Sequence, residues 1–287
     1  MQDLVSLRNA QLHCDIALRG AELRSLRDAE SGDEFIWQRD PAIWAGSAPI
    51  LFPVIGRLKD GGYTLDGTAH EIPKHGFARD MDFALVATGD ASATFQLANS
   101  DATSAAYPFA FSLEVTFTLR GRTLAVDYRV VNCGDRVMPF ALGSHPAFNL
   151  PGVLEDWSIV FDAVEEPLCY RVAENLLSSA PEPFAFLSDN SIALSGTIFD
   201  RDALIFKGIR SRRLQIAHRE RGVRLNFATG GAPVLGIWAK PGAPYVCLEP
   251  WCGFDDTSEI NADIMRKPGM LTLAAGDSFV TGYCVTV

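Results

Sequence analysis

The chain has 287 residues, 48% of them hydrophobic and 21% charged, so it is long enough to bury a large core and has an ordinary globular composition. Its formal charge of -10 argues against a nucleic-acid backbone or an anionic membrane surface as partner, because both select clustered Lys and Arg. The stretch Met1–Arg8 has no basic region leading into an apolar segment, and no apolar run has the length of a spanning helix; the expectation is a cytoplasmic protein, monomer or homodimer, acting on a small neutral molecule.

Taken in chain order, the dominant periodicity is two. Tyr63-Thr-Leu-Asp-Gly-Thr68 turns at Asp66-Gly67, a dipeptide suited to positive φ in a tight hairpin. Along Phe111–Leu119 every odd position is apolar. After Arg120-Gly121-Arg122 the apolar set moves to Leu124, Val126, Tyr128 and Val130, which predicts a long antiparallel hairpin with one buried face. Near the C-terminus Leu271 and Leu273 read as a strand, and after Ala275-Gly276-Asp277 the residues Phe279, Thr281, Tyr283, Val285 and Val287 alternate. Helical candidates are few and short. Glycines and prolines punctuate these runs at strand-like intervals, so the fold class expected is all-β, a large antiparallel sandwich or barrel. The Pro-rich Ser178–Pro183 stretch is the nearest thing to a composition break, yet the strand pattern continues on both sides. Residues 1–287 are therefore expected to form a single domain.

Absent motifs narrow the chemistry. There is no Walker loop, no GxGxxG opening a helix and no GxSxG, so nucleotide cofactors and α/β-hydrolase chemistry drop out. Six cysteines lie at 14, 133, 169, 247, 252 and 284 without a CxxC pair, and Cys247 and Cys252 flank Glu249 at a spacing unlike the common zinc knuckles. Neither a disulfide framework nor a metal site is signalled.

Three segments combine polar groups with surroundings too apolar for ordinary loops. The first joins Pro49–Leu58 to Pro73–Arg79 and carries Arg57, His75 and Arg79. The second is Phe140–Pro151, where His145 sits among apolar residues and two prolines, either as a core ring bonded to backbone or as a proton carrier working near neutral pH. The third is Tyr245–Asp255. Val246-Cys247-Leu248 reads there as a buried strand that Pro250-Trp251 ends, leaving Glu249 at the strand terminus in need of a cation or a substrate hydroxyl. Arg57 and Arg79 by default are solvated, His75 by default is a surface ring, and Trp238 is either core or a stacking platform. His13, His70 and His218 carry no assignment.

Read together, Ala48-Pro-Ile-Leu-Phe-Pro-Val-Ile-Gly-Arg57, Lys74-His-Gly-Phe-Ala-Arg79, Gly143-Ser-His-Pro-Ala-Phe-Asn149 and Cys247-Leu-Glu-Pro-Trp-Cys-Gly253 resemble the aldose 1-epimerase, or galactose mutarotase-like, family. The likeness is closest to its bacterial subgroup associated with lactose operons and runs in order along nearly the whole chain. It implies a β-supersandwich with an open cleft, no metal or organic cofactor, and a monosaccharide substrate. Carried over by position, it makes His145 the general acid and Glu249 the general base. His75 and Arg57 would contact hydroxyls and the ring oxygen, Asp202 (with Asp200 as the neighbouring alternative) would bind a sugar hydroxyl, and Trp238 would be a stacking wall. That chemistry calls for a protonated His145 beside an ionised Glu249, hence an imidazole pKa raised by carboxylate charge. Other readings are a hexose-6-phosphate epimerase, for which Arg210-Ser-Arg-Arg213 is the available cationic cluster, and a non-catalytic sugar-binding protein. A glycosidase would pair Glu249 with Asp202 or Asp255.

Overall fold

The computed structural model describes residues 4–166, 168–187, 189–259 and 262–287, so the first three residues of the N-terminal stretch lie outside the described residues. Nearly every element is a strand, and every strand pairing is antiparallel. One nine-stranded sheet runs in the spatial order Ser191–Ala193, Trp157–Phe161, Arg213–His218, Gly222–Ala228, Ser278–Thr286, Thr123–Asn132, Phe111–Arg120, Ser92–Ala98 and Ala84–Thr88. A second, which carries the site, runs Leu176–Leu177, Leu168–Ala173, Leu204–Lys207, Val234–Trp238, Tyr245–Cys252, Leu142–Ser144 and Ile50–Leu51, with Ala147–Asn149 and Glu182–Pro183 paired beside this path.

The period-two reading holds residue by residue. Phe111–Arg120 pairs with Thr123–Asn132 through Leu119↔Leu124, Phe117↔Val126 and Val115↔Tyr128, and the odd positions of the first strand are buried while the even ones are partly exposed. Asp66 and Gly67 turn the Gly62–Leu65 and Thr68–Glu71 hairpin with positive φ of 51° and 81°, as that dipeptide permits. Leu271–Leu273 is a strand, but it pairs with Met138–Phe140 rather than with the strand that follows it. The last strand, Ser278–Thr286, lies along Thr123–Asn132, far away in sequence.

The two large sheets share one core. Leu113, Val115, Leu124 and Val126 of the first meet Leu204, Phe206, Leu235, Ile237 and Leu248 of the second, all nearly inaccessible. One polar tie crosses this layer: the Tyr128 and Ser144 hydroxyls lie 2.6 Å apart, both buried, and fix the residue next to His145 to the opposite sheet. Among the described residues no helix is long and apolar enough to cross a membrane.

Candidate active site

Sheet register brings the two proton-carrying candidates together. Leu142 pairs with Cys252, Gly143 with Trp251, and, after an interruption, Ala147 with Cys247. The same register carried through the gap sets His145 opposite Glu249, with side chains on one face as cross-strand neighbours must be. The gap has a covalent cause: Pro146 and Pro250 lack the N–H groups the ladder would need. Glu249 is therefore inside a strand and not at its end, because Pro250 keeps its pairing with Leu235 on the other side and the strand continues to Cys252. His145 Nε2 lies 3.2 Å from Glu249 Oε2.

The alternation that builds the core also builds the cleft. Cys247, Glu249 and Trp251 point to one face of their strand, and Val234, Gly236 and Trp238 share that face on the next. Trp251 spreads over two glycines: a Cβ on Gly143 would lie 2.7 Å from its ring and one on Gly236 2.9 Å. This leaves a floor on which the Glu249 carboxyl is reachable from a cleft of about 220 Å³. Trp44 and Trp238 meet edge to face at 5.6 Å and both abut the His145 ring, at 5.1 and 5.6 Å, so the imidazole is walled by indoles.

The opposite wall comes from the 73–80 segment, bridged to Phe52 at Gly76. His75 and Gly76 both take positive φ, 68° and 72°; a Cβ on Gly76 would overlap the Phe52 carbonyl at 2.1 Å, so glycine is required there. The His75 N–H donates to the Gly56 carbonyl, and the Gly56 N–H donates to His75 Nδ1 at 3.0 Å. The His75 proton is thereby assigned to Nε2, a donor on a buried ring that lines the cleft. It is not the surface ring its sequence context suggested. Its ring stands 6.0 Å from that of His145.

Arg57 does not line the cleft. Its side chain is exposed, while its backbone N–H donates to Asp255 Oδ1 and its carbonyl accepts from Asp256. The reason is the left-handed Gly56 turn, φ 67°, which turns this backbone toward Asp255; a Cβ on Gly56 would sit 1.8 Å from that carboxyl. The cations on the lining are Lys74 and Arg79, with Asp202 and Asp255 as the acids beside Glu249. Both Asp200 and Asp202 are exposed, but Asp202, at φ 64° and accepting from the Ala203 N–H, lines the cleft, whereas Asp200 is absent from the lining. The arginine cluster is occupied elsewhere: Arg210 pairs with Glu166 at 3.1 Å and Arg213 with Asp162 at 3.3 Å.

Burial, not mutual attraction, governs the charges. The His145 imidazole is pushed down to about 3, first by desolvation and then by the Lys74 and Arg79 charges. Glu249 is pushed well up by desolvation, with Asp255 and Asp202 adding to the rise and Lys74 opposing it. The expected raised imidazole is thus reversed, because removing both groups from water favours the neutral ring and the neutral acid over the ion pair. His75 is likewise held neutral by burial and by the neighbouring His145.

Residues that sequence reasoning passed over include Trp44, in a short segment without strand periodicity, and Lys74, read only as part of a turn. Cys247, weighed as a ligand together with Cys252 and set aside on their spacing, instead meets His145: its Sγ, a His145 ring nitrogen and a Glu249 oxygen lie within 4.8 Å of one another, close enough to hold a metal ion.

The comparisons agree with this architecture. The sequence profile described as aldose 1-epimerase matches residues 3–281. Protein LacX of Lactococcus lactis subsp. lactis is 29% identical over 296 aligned positions, covering 99% of this chain and 99% of its own. Among solved structures, a galactose mutarotase related enzyme from Lactobacillus acidophilus has a TM-score of 0.94 at 33% identity, over 99% of this chain and 97% of its own. A galactose mutarotase-like protein from Lactobacillus casei ATCC 334 has a TM-score of 0.93 at 29% identity, over 99% of each chain. With a profile that spans all but the chain's ends and a fold that superposes from end to end, this chain belongs to the aldose 1-epimerase family.

Proposed function

We propose that residues 1–287 act as one catalytic unit, an aldose 1-epimerase interconverting the α and β anomers of a free aldose. The observation that carries the reading is the buried His145–Glu249 pair, 3.2 Å apart on a cleft lined by indoles and hydrogen-bonding groups. Opening a cyclic sugar requires a proton to leave the anomeric hydroxyl and another to reach the ring oxygen. Glu249 as carboxylate takes the first and His145 as imidazolium gives the second; the bond from C1 to the ring oxygen breaks, and an open aldehyde results. The pair is then in its neutral form, which burial favours. Rotation about the C1–C2 bond exposes the other face of the aldehyde, and closure returns both protons. The pair thus passes one proton back and forth between its partners and needs no net exchange with water.

The remaining lining has roles in the same reading. His75 Nε2–H, Lys74 and Arg79 donate to sugar oxygens, Asp202 accepts from a hydroxyl, and Trp238 with Trp44 covers an apolar face of the ring. Arg79→Ala is expected to raise KM by roughly tenfold or more, as loss of a charged hydrogen bond does. Arg57→Ala should change it less than about twofold, as exposed positions do. Equal effects of the two would remove Arg79 from the substrate's contacts. The reading as a whole is tested by polarimetry: freshly dissolved α-D-glucose or α-D-galactose should reach anomeric equilibrium faster with the protein. Unchanged relaxation, with sugar binding demonstrated, would favour a non-catalytic sugar-binding protein.

A hexose phosphate is a second reading, favoured by one observation, the presence of both Lys74 and Arg79 on the lining. A preference for the phosphorylated sugar in kcat/KM, lost in Arg79→Ala, would select it.

A further inference from the structure

Cys247 has no part in the proton transfers, yet it shares their face of the sheet two residues before Glu249. We propose that His145, Cys247 and Glu249 form a zinc-binding site on the floor of the cleft, and that an ion held there inhibits the enzyme by engaging both proton carriers. The inhibitory half of this rests on the epimerase reading; the binding half does not.

Several independent features lead to a cation. One donor atom from each of the three residues lies within 4.8 Å of the others, and the side chains are buried, with Cys247 at 0%, Glu249 at 1% and His145 at 9% exposure. Among the described residues Glu249 Oε2 is inaccessible and lacks a well-formed hydrogen bond: His145 Nε2 lies 3.2 Å away, and Trp251 Nε1, its other close donor, is itself buried without a well-aligned partner. A buried acceptor left in that state is costly, so the site gains by receiving a ligand. Charge counts in the same direction. A dication bound to a Cys247 thiolate and a Glu249 carboxylate, with a neutral imidazole as third ligand, makes a set without net charge, as a buried site requires.

The donor types choose the ion. One sulfur, one nitrogen and one oxygen suit zinc, which takes such ligands at about 2.0–2.3 Å, whereas calcium and magnesium require oxygen throughout. Three protein ligands leave a fourth position for water or a sugar hydroxyl, and two of the three, His145 and Glu249, line the cleft from which such a ligand would come. The surrounding charges divide evenly between Lys74 with Arg79 and Asp202 with Asp255. Binding releases two protons, one from the Cys247 thiol and one from the His145–Glu249 pair, and no electrons move. The ion is an inhibitor here and not a cofactor, because it occupies the two groups that must exchange a proton.

Equilibrium dialysis with zinc chloride and titration with cobalt(II) chloride, on wild type, Cys247→Ala and Cys247→Ser, test this. Wild type is expected to bind one zinc per chain, and cobalt should give a near-ultraviolet sulfur-to-metal charge-transfer band. Both variants, with unaltered circular dichroism, should bind zinc at least about tenfold more weakly and lack the band. Zinc should slow polarimetric relaxation in wild type far more than in Cys247→Ala. Equal binding by wild type and both variants would place the ion elsewhere, for instance at the exposed Cys133 or the partly exposed Cys284, and would overturn the proposal, as would no binding at all. A cobalt band in a protein that never accelerates mutarotation would keep the metal site and reject the epimerase reading.

Discussion

Replacing His145 by Asn or Glu249 by Gln is expected to slow anomer interconversion by roughly a hundredfold to ten-thousandfold each, the range over which a positioned acid or base acts. The double variant should be little slower than the worse single one, because each half of the pair is useless without the other. Initial polarimetric rates corrected for the spontaneous reaction measure this directly. A single variant within about threefold of wild type would take that residue out of the chemistry. Glu249→Gln carries a second, opposite effect. The folded-state pKa of Glu249 is raised by burial, so its neutral form contributes stability at low pH that is lost as pH rises through that folded value. Glutamine keeps the shape and never ionises. Its Tm is therefore expected to exceed that of wild type by roughly 2–6 °C, with a larger gap at about pH 8 than at about pH 5. A variant that loses activity and gains stability is one whose removed group served the reaction and not the fold. A fall in Tm would instead show that Glu249 is held by structure.

How much of this was legible in the sequence differs from segment to segment, for physical reasons. The Phe111–Asn132 hairpin could be read completely, because a strand with one buried face writes that face into alternate residues. The pairing of Ser278–Thr286 with Thr123–Asn132 could not, since alternation says which face is buried and not which distant strand lies beside it. The same limit applies at the site. His145 and Glu249 each stood out as polar groups in apolar runs, but their opposition rests on a register that two prolines interrupt. Pro250 also misled about the strand's end, as proline is tolerated where its missing N–H falls in a gap of the ladder. Arg57 is a matter of backbone shape. The glycine before it turns the chain, so adjacency to a motif did not become adjacency to the cleft, while Arg79, from a segment read as solvated, lines it. Trp44 carried no signal, because its short Pro41–Gly46 surroundings show no strand period and its role comes from packing against Trp238, Tyr245 and His145. The reversal in the imidazole's pKa has the same root: composition shows a base near an acid, and only burial decides between an ion pair and a neutral one.

That reversal has a kinetic signature. The active form is the pair with one proton between its members, so activity is bounded by gain of a second proton and by loss of the first, and both limits belong to the pair. Gain of the second proton means protonating His145 beside a neutral Glu249, and with the imidazole pushed down to about 3 the acid limb should fall well below the ordinary imidazole value near 6.5. Loss of the last proton follows the raised Glu249, so the alkaline limb lies above the usual carboxylate range. The expected profile of kcat/KM therefore has no acid limb near pH 6.5, and an acid limb centred there would mean a solvated histidine and would sink this account of the site. Lys74 supplies the control. Its charge depresses both groups, so Lys74→Met should move both limbs to higher pH while leaving the pair itself intact. A shift of the alkaline limb alone would show that the Lys74 charge acts on Glu249 and is screened from His145, which in the fold would require water between the ring and the 73–80 wall.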